Sequence, residues 1–178
     1  MKADEIVAAL RRKYVPTVQA REWAFFSELR VGTGYAMHKH RKGSALSVEQ
    51  RIDAWAMSLW PSKKFVRIAY EIKVSKSDFK REIEDPEKRQ AALLLSNMFY
   101  FATPAGLVQK EDIPQECGLV EVWEDGKIDV VVRSPFRVID PPPLSFLASI
   151  ARRATAAEGL LKEAEGLLKI ESLKEAST

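Results

Sequence analysis

Cysteine is almost absent from this sequence: Cys117 stands alone in 178 residues. No internal disulfide can form, which suits a reducing compartment. With no histidine near it in sequence, Cys117 is also a poor candidate nucleophile. No apolar run reaches the roughly 18 residues that would suggest a membrane span. Residues 1–10 read as an acid-containing amphipathic helix rather than a secretory signal. Together these absences point to a cytoplasmic protein with no membrane partner. Charge of one sign is lacking too, since 28 basic against 25 acidic residues leave only +3. Any nucleic-acid contact must therefore come from local clusters of Lys and Arg. A zinc set is missing as well: His38 and His40 alternate without a cysteine or a third ligand, a pattern more typical of surface than of metal.

What is present is ordinary for a globular chain, with 46% hydrophobic and 30% charged residues, and long enough to bury a real core. Ile6, Val7, Leu10 and Tyr14 have helical spacing, with Asp4 and Glu5 in the first turn where the helix dipole favours acids; Pro16 ends that helix. Residues 18–31 are ambiguous, because Val18, Trp23, Phe26 and Leu29 suit a helix while the stretch from Phe25 suits a strand. Gly32-Thr-Gly34 stops either one. Residues 34–47 read as a basic loop, with Lys39, Arg41 and Lys42 either following a phosphate backbone or simply solvated. Ser75-Lys-Ser-Asp78 has capping-box spacing ahead of Phe79 and Ile83. Asp85-Pro86 restarts a helix whose buried side is expected to carry Ala91, Leu94, Leu95 and Met98. A short aromatic strand at 99–102 and two strands around the turn Glu124-Asp-Gly-Lys127 complete a mixed sheet. Asp140-Pro-Pro-Pro143 is a stiff boundary. It divides residues 1–140 from a helical appendage, 144–176, with Glu-Gly-Leu-Leu-Lys at 158 repeated at 165. Two such units fall short of a coiled coil. The expected use of the Leu stripe is docking on the same chain or on a twin subunit as a homodimer, rather than folding on another partner.

Residues 64–74 form the most informative stretch. By strand alternation Val66, Ile68, Tyr70, Ile72 and Val74 share a core face, and Arg67, Ala69, Glu71 and Lys73 share the other. Glu71 and Lys73 are then about 6 to 7 Å apart along one surface, within reach of one ligand. Residues 50–59 form an apolar strand interrupted by Asp53, and a buried aspartate needs a partner or a cation. The turn residues Trp60-Pro-Ser-Lys63 fold this strand back as a hairpin, so Asp53 and Glu71 become neighbours.

Asp53 followed by Glu71-Ile-Lys73 on a strand leading into a helix resembles the PD-(D/E)XK nuclease superfamily. The longer run Gln50-Arg-Ile-Asp-Ala-Trp-Ala-Met57, Trp60-Pro-Ser62, Tyr70-Glu-Ile-Lys-Val-Ser-Lys-Ser-Asp-Phe79, Asp85-Pro-Glu-Lys88 and Gly118-Leu-Val-Glu-Val122 looks like the small MmcB-like DNA-repair proteins and their phage-borne relatives. That likeness covers roughly residues 20–122; Ile52 departs from it where the motif has a proline, and the tail lies outside it. The resemblance implies an α/β fold of the α+β mixed-sheet kind, with a restriction-endonuclease-like core of helix, central β-hairpin, helix and further strands, plus the C-terminal helical tail.

It further implies a Mg²⁺-dependent deoxyribonuclease, with Mn²⁺ able to stand in, acting in DNA repair or a mobile element. Asp53, Glu71 and Lys73 would be catalytic, and Asp53, Glu71, the Ile72 carbonyl and an upstream acid would hold the metal. Glu28, which precedes the Gly-Thr-Gly run, leads Glu5 and Glu22 for that last place. Two carboxylates and a carbonyl suit Mg²⁺, which prefers oxygen and keeps several waters. Beside two acids, Lys73 is expected to act as a stabilising cation rather than as a base. DNA contacts are expected from Lys39, Arg41, Lys42, Arg51, Lys76 and Lys80. Arg51, Ser75 and Asp78 are candidates to support the site. Competing readings are a nucleic-acid-binding module that keeps the fold without cutting, and a structural protein in which Asp53, Glu71 and Lys73 form only an ion pair.

Overall fold

Six strands form one sheet in chain order, β1 (Trp23–Arg30), β2 (Arg51–Ser58), β3 (Arg67–Ile72), β4 (Met98–Pro104), β5 (Gly118–Val122) and β6 (Ile128–Val132). The chain is seen in a computed structural model that describes residues 1–17, 19–31 and 51–175, with side chains of the final helix described as far as Glu165. Val18, the Gly32-Thr-Gly34 punctuation and the basic loop with His38, Lys39, His40, Arg41 and Lys42 lie outside the described residues. β2 runs antiparallel to both of its neighbours, β1 and β3, while β3, β4 and β5 are parallel and β6 returns antiparallel. The ambiguous stretch before Gly32 is thus a strand, and the protein is a mixed α+β fold.

Helices cover both faces. α1 (Ala3–Tyr14) has acids in its first turn, Arg11, Arg12 and Lys13 in its last, and buries Ile6, Ala9, Leu10 and Tyr14. These meet Phe25, Ala54, Ala56, Ile68, Tyr70, Tyr100 and Val120 on one face of the sheet. Fully burying side chains such as Ile6 and Leu10 contributes roughly 1.5 to 3 kcal/mol each. On the other face, α2 (Lys76–Glu84), the short α3 (Gln90–Leu94) and the start of α4 (Leu144–Glu175) bring Phe79, Ala91, Ala92 and Phe146 against Trp55, Ala69, Phe99, Phe101 and Leu119. Central strands with two covered faces are apolar without alternation, which is why β4 reads Phe-Tyr-Phe-Ala.

The same layering corrects the expectation for residues 64–74. β3 starts at Arg67 because Lys64 and Phe65 both take left-handed backbone, φ 53° and 49°, closing the turn Pro61–Lys63. Its polar face is also buried: Ala69 is inaccessible, and Arg67 donates a 2.9 Å hydrogen bond to the Asp140 carbonyl. Val74, expected in the core, lies past the strand and is exposed. Three further expectations change. Leu94 is exposed because α3 ends there, Met98 belongs to β4, and Asp85 does not cap the restarted helix, which begins as a 3₁₀ turn (Pro86–Arg89). Gly126, at φ 82°, closes the β5–β6 hairpin.

Among the described side chains, α4 docks through its first turns rather than through the leucines of the first repeat. Phe146 is fully buried and meets Trp55 edge-on at 5.4 Å, while Leu160 and Leu161 are exposed. The Ser149 hydroxyl donates to the Arg30 carbonyl (2.8 Å) and the Arg153 guanidinium to the Ser27 carbonyl (3.1 Å). Among the described residues no helix is long and apolar enough to cross a membrane.

Candidate functional site

The acids singled out in the sequence meet at one end of the sheet, where the parallel strands β3 and β4 end. Pairing of Ser27 with Ala54 and of Leu29 with Ile52 brackets Glu28 opposite Asp53. One step beyond the Ala54–Tyr70 pair, Glu71 falls opposite Asp53 on the other side. Facing residues on neighbouring antiparallel strands share a face, so Asp53 and Glu71 lie side by side, and Glu28, outside the paired register and exposed beside Arg51, ends this acid row at its solvent edge, where its charge reaches Asp53. Glu28 takes a left-handed backbone conformation, φ 49°, at this row. For a non-glycine residue that conformation is uncommon and occurs where the surroundings hold it in place.

Asp53 finds the partner that its place in an apolar strand requires: its Oδ2 accepts the Ile72 amide at 2.9 Å. The side chain thereby serves a backbone donor just past the end of the β2–β3 ladder. Lys73 is fixed through its own amide, which donates to the Ala102 carbonyl of β4 at 3.1 Å. Its Nζ lies 2.6 Å from Glu71 Oε1 and 3.1 Å from Glu82 Oε2. Glu82, on α2, is the residue missed in the sequence. The available signal was its place three residues after the buried Phe79, which puts an acid on the covered face of the helix. Ser75 caps α2 by accepting the Asp78 amide, so the capping spacing serves to aim that helix, and Glu82 with it, at Lys73. Arg89 is buried; it donates to the Glu82 carbonyl and pairs with Glu116 at 2.7 Å.

The Lys73–Glu71 pair is no solvated surface bridge, since its side chains are only 14% and 18% exposed. Two carboxylates, Glu71 and Glu82, share the one ammonium in this half-buried space, and its charge also reaches Asp53. Burial pushes the Glu71 carboxyl up to about 7, reinforced by the Asp53 charge and opposed by Lys73. Burial likewise raises Asp53, against the Ile72 hydrogen bond and Lys73, while Glu82 and Glu28 add repulsion. Burial alone would lower Lys73, but Glu71 and Glu82 hold it above its ordinary value. At neutral pH Lys73 is therefore a cation.

The other candidates fall as follows. Glu5 sits on α1, and Glu22 pairs with Lys63 at 2.6 Å; of the three upstream acids, Glu28 is the one whose charge reaches Asp53. Arg51 stands 3.8 Å from Glu28, and Lys76 and Lys80 are exposed on α2. Trp55 is core, with its indole donating to the Leu95 carbonyl, whereas Trp60 is half exposed. Cys117 is buried and its thiol is pushed up to about 12, chiefly by burial, so it is no nucleophile at neutral pH.

Among the described residues no group of three or more Asp, Glu, His or Cys side chains is gathered closely enough to cage a metal ion. The donors nevertheless fit a hard cation that needs few of them. Mg²⁺ is commonly held by one or two carboxylates and completes its octahedron with water and phosphate oxygens. Asp53 and Glu71 are adjacent oxygen donors whose negative charge exceeds what Lys73 neutralises.

No protein-family model matches the chain, and no curated protein matches it. A solved structure of a Silicibacter pomeroyi protein of unknown function is similar in fold, with a TM-score of 0.56 at 17% identity over 89% of this chain and 92% of that one. At that identity the likeness is one of fold.

Proposed function

We propose that this chain is a divalent-metal-dependent nuclease that hydrolyses DNA phosphodiester bonds, built on a restriction-endonuclease-like core and serving DNA repair or a mobile element in the cytoplasm. The observation that carries the reading is the row of Glu28, Asp53 and Glu71 across three strands, with Lys73 two residues beyond the last acid and tied to it. A bystander ion pair needs no further acid. Here burial first, then the charges of Asp53 and Glu82, raise the Glu71 carboxyl toward neutrality, and Glu28 adds its charge at Asp53.

In this reading Asp53 and Glu71, with the Ile72 carbonyl and Glu28, hold Mg²⁺ or Mn²⁺. A bound divalent ion would polarise a phosphate oxygen and lower the pKa of water. Lys73, protonated at neutral pH, offers its ammonium to the negative charge that develops on the phosphate. Glu82 keeps that ammonium aimed, and Ser75 fixes the helix that carries Glu82. Arg51, Lys76 and Lys80 border the site and can hold the flanking phosphates.

A second reading, a nucleic-acid-binding module that does not cut, is favoured by one observation: Lys73 occupies Glu71 directly, at 2.6 Å. Labelled single-stranded, duplex, flap and four-way-junction DNA, incubated with and without Mg²⁺ or Mn²⁺, separates the two. Metal-dependent cleavage that disappears in Asp53→Ala and Lys73→Ala supports the nuclease. Binding without cutting on every substrate and metal selects the module.

A further inference from the structure

We infer that the cleft between α4 and the ends of β1 and β2 is a track for the DNA phosphate backbone, leading it to the acid row; this rests on the nuclease reading above. The cleft encloses about 380 Å³, and its walls include Glu28, Arg30, Arg51, Ser149, Arg152 and Arg153. Among the described residues, four guanidinium groups arrive there from three separate stretches of chain, against one carboxylate. All four arginines are exposed to solvent. Guanidinium forks match phosphate oxygens two at a time, and a concave surface of one sign concentrates the field felt by an approaching polyanion.

Position gives the cleft its role. Glu28 belongs both to its wall, beside Arg51, and to the acid row, where its charge reaches Asp53. A strand lying in the cleft therefore has its next phosphates at Asp53 and Glu71. The acids by themselves repel DNA, and a cationic shoulder on the approach offsets that repulsion. The α4 wall is held in place by the buried Phe146 and by the Ser149 and Arg153 bonds to β1. The helix beyond the proline run is thus part of the substrate surface, and Arg152 and Arg153 join Arg51 as DNA contacts.

The test is binding without cutting. Anisotropy of a labelled 20-base-pair duplex and of its single strand is titrated in EDTA at several salt concentrations. The proteins are the full-length chain, Arg152→Gln/Arg153→Gln and Asp53→Ala. Losing two phosphate contacts should reduce the slope of log K against log salt by about 1.8 for the duplex and about 1.4 for the single strand. Affinity near 0.1 M salt should drop at least about tenfold, and the two DNA arms show which form the cleft prefers. Arg152→Glu, which reverses one charge in the cleft, is the second variant; with its folding checked by thermal melt, it should weaken binding by at least the same factor. Unchanged slope and affinity in folded variants overturn the track, as does a free mononucleotide that competes as well as the oligomer does. Wild-type cleavage that requires Asp53, together with arginine variants that bind normally, removes the track and leaves the nuclease. Arginine-dependent binding without any cleavage removes the nuclease and leaves the track.

Discussion

Replacing Asp53 by Asn should abolish cleavage and, in the absence of metal, make the protein more stable. Asn keeps the shape and retains an oxygen to accept the Ile72 amide, now at 2.9 Å from the carboxylate; what it removes is charge. Facing side chains on neighbouring strands have Cβ atoms about 5 Å apart. Two carboxylates about 6 Å apart at an effective dielectric constant near 20 repel by roughly 2.8 kcal/mol. Lys73 cancels part of this, which leaves a gain of about 1 to 2 kcal/mol. For a chain of this length that is about 2 to 8 °C in Tm. The gain depends on pH with a definite sign. Glu71 has its folded pKa at about 7 against an ordinary 4.5. Between those values the folded state holds a proton that the unfolded state has lost, and stability declines by about 1.4 kcal/mol per pH unit as pH rises. Above about pH 7 the loss is complete. Asp53→Asn brings the Glu71 pKa down, so its advantage over wild type should be largest near pH 8 and vanish toward pH 4.5. Thermal melts in EDTA at both pH values, with Mg²⁺ added in a parallel series, measure this. A variant less stable than wild type at pH 8, or equally stabilised at both pH values, refutes the argument from crowded charge.

Glu82→Gln keeps the volume on α2 but leaves Lys73 with Glu71 as its acid partner; kcat should fall on the order of 10- to 100-fold with KM little changed, measured by steady-state cleavage, with Glu82→Asp recovering part of the loss. Ser75→Ala removes the cap that accepts the Asp78 amide and should cost about 1 kcal/mol, read as a denaturation midpoint. Phe146→Ala should cost about 3 to 5 kcal/mol because the ring is wholly buried against Trp55. Ending the chain at Pro143 should destabilise residues 1–143 at least as much, which urea titration of the two proteins would establish.

Much of the architecture was legible because local signals and the global fold agree. Asp4 and Glu5 against Arg11 to Lys13 mark α1, Pro61 and the residues after it turn β2 into β3, Ser75 starts α2, and Asp125-Gly126 closes the last hairpin. The failures share a physical cause. Strand alternation tells two faces apart but not whether both are covered, so Arg67 and Ala69 read as a polar face although α2 and α3 lie over Ala69 and the chain at Asp140 meets Arg67. The stretch before Gly32 carries apolar residues at both periods, and only pairing with β2, a long-range interaction, decides for a strand. The Leu repeat in α4 outweighs Phe146 in any count of apolar residues, yet a single aromatic ring beside Trp55 anchors the helix.

The site was half legible for the same reason. Asp53, Glu71 and Lys73 follow from strand spacing and a hairpin register, which sequence can supply. Glu82 depends on α2 folding back over β3, and the Arg152–Arg153 wall depends on α4 crossing β1; both are consequences of packing between distant segments. This packing also gives the acids their chemical character. On a hairpin with one wet face, Glu71 and Lys73 would be a solvated pair contributing at most about 1 kcal/mol. Covered by α2, the same pair sits at low exposure with Asp53 and Glu82 beside it, and Glu71 rises to about 7. A site whose carboxylates repel one another is poorly balanced alone and is relieved by whatever brings positive charge. In the proposed nuclease a divalent cation would do so at the acid row, and the four arginines stand at the cleft beside it. On that proposal, the covering helix that destabilises the ionised acids is what would ready them for metal and phosphate.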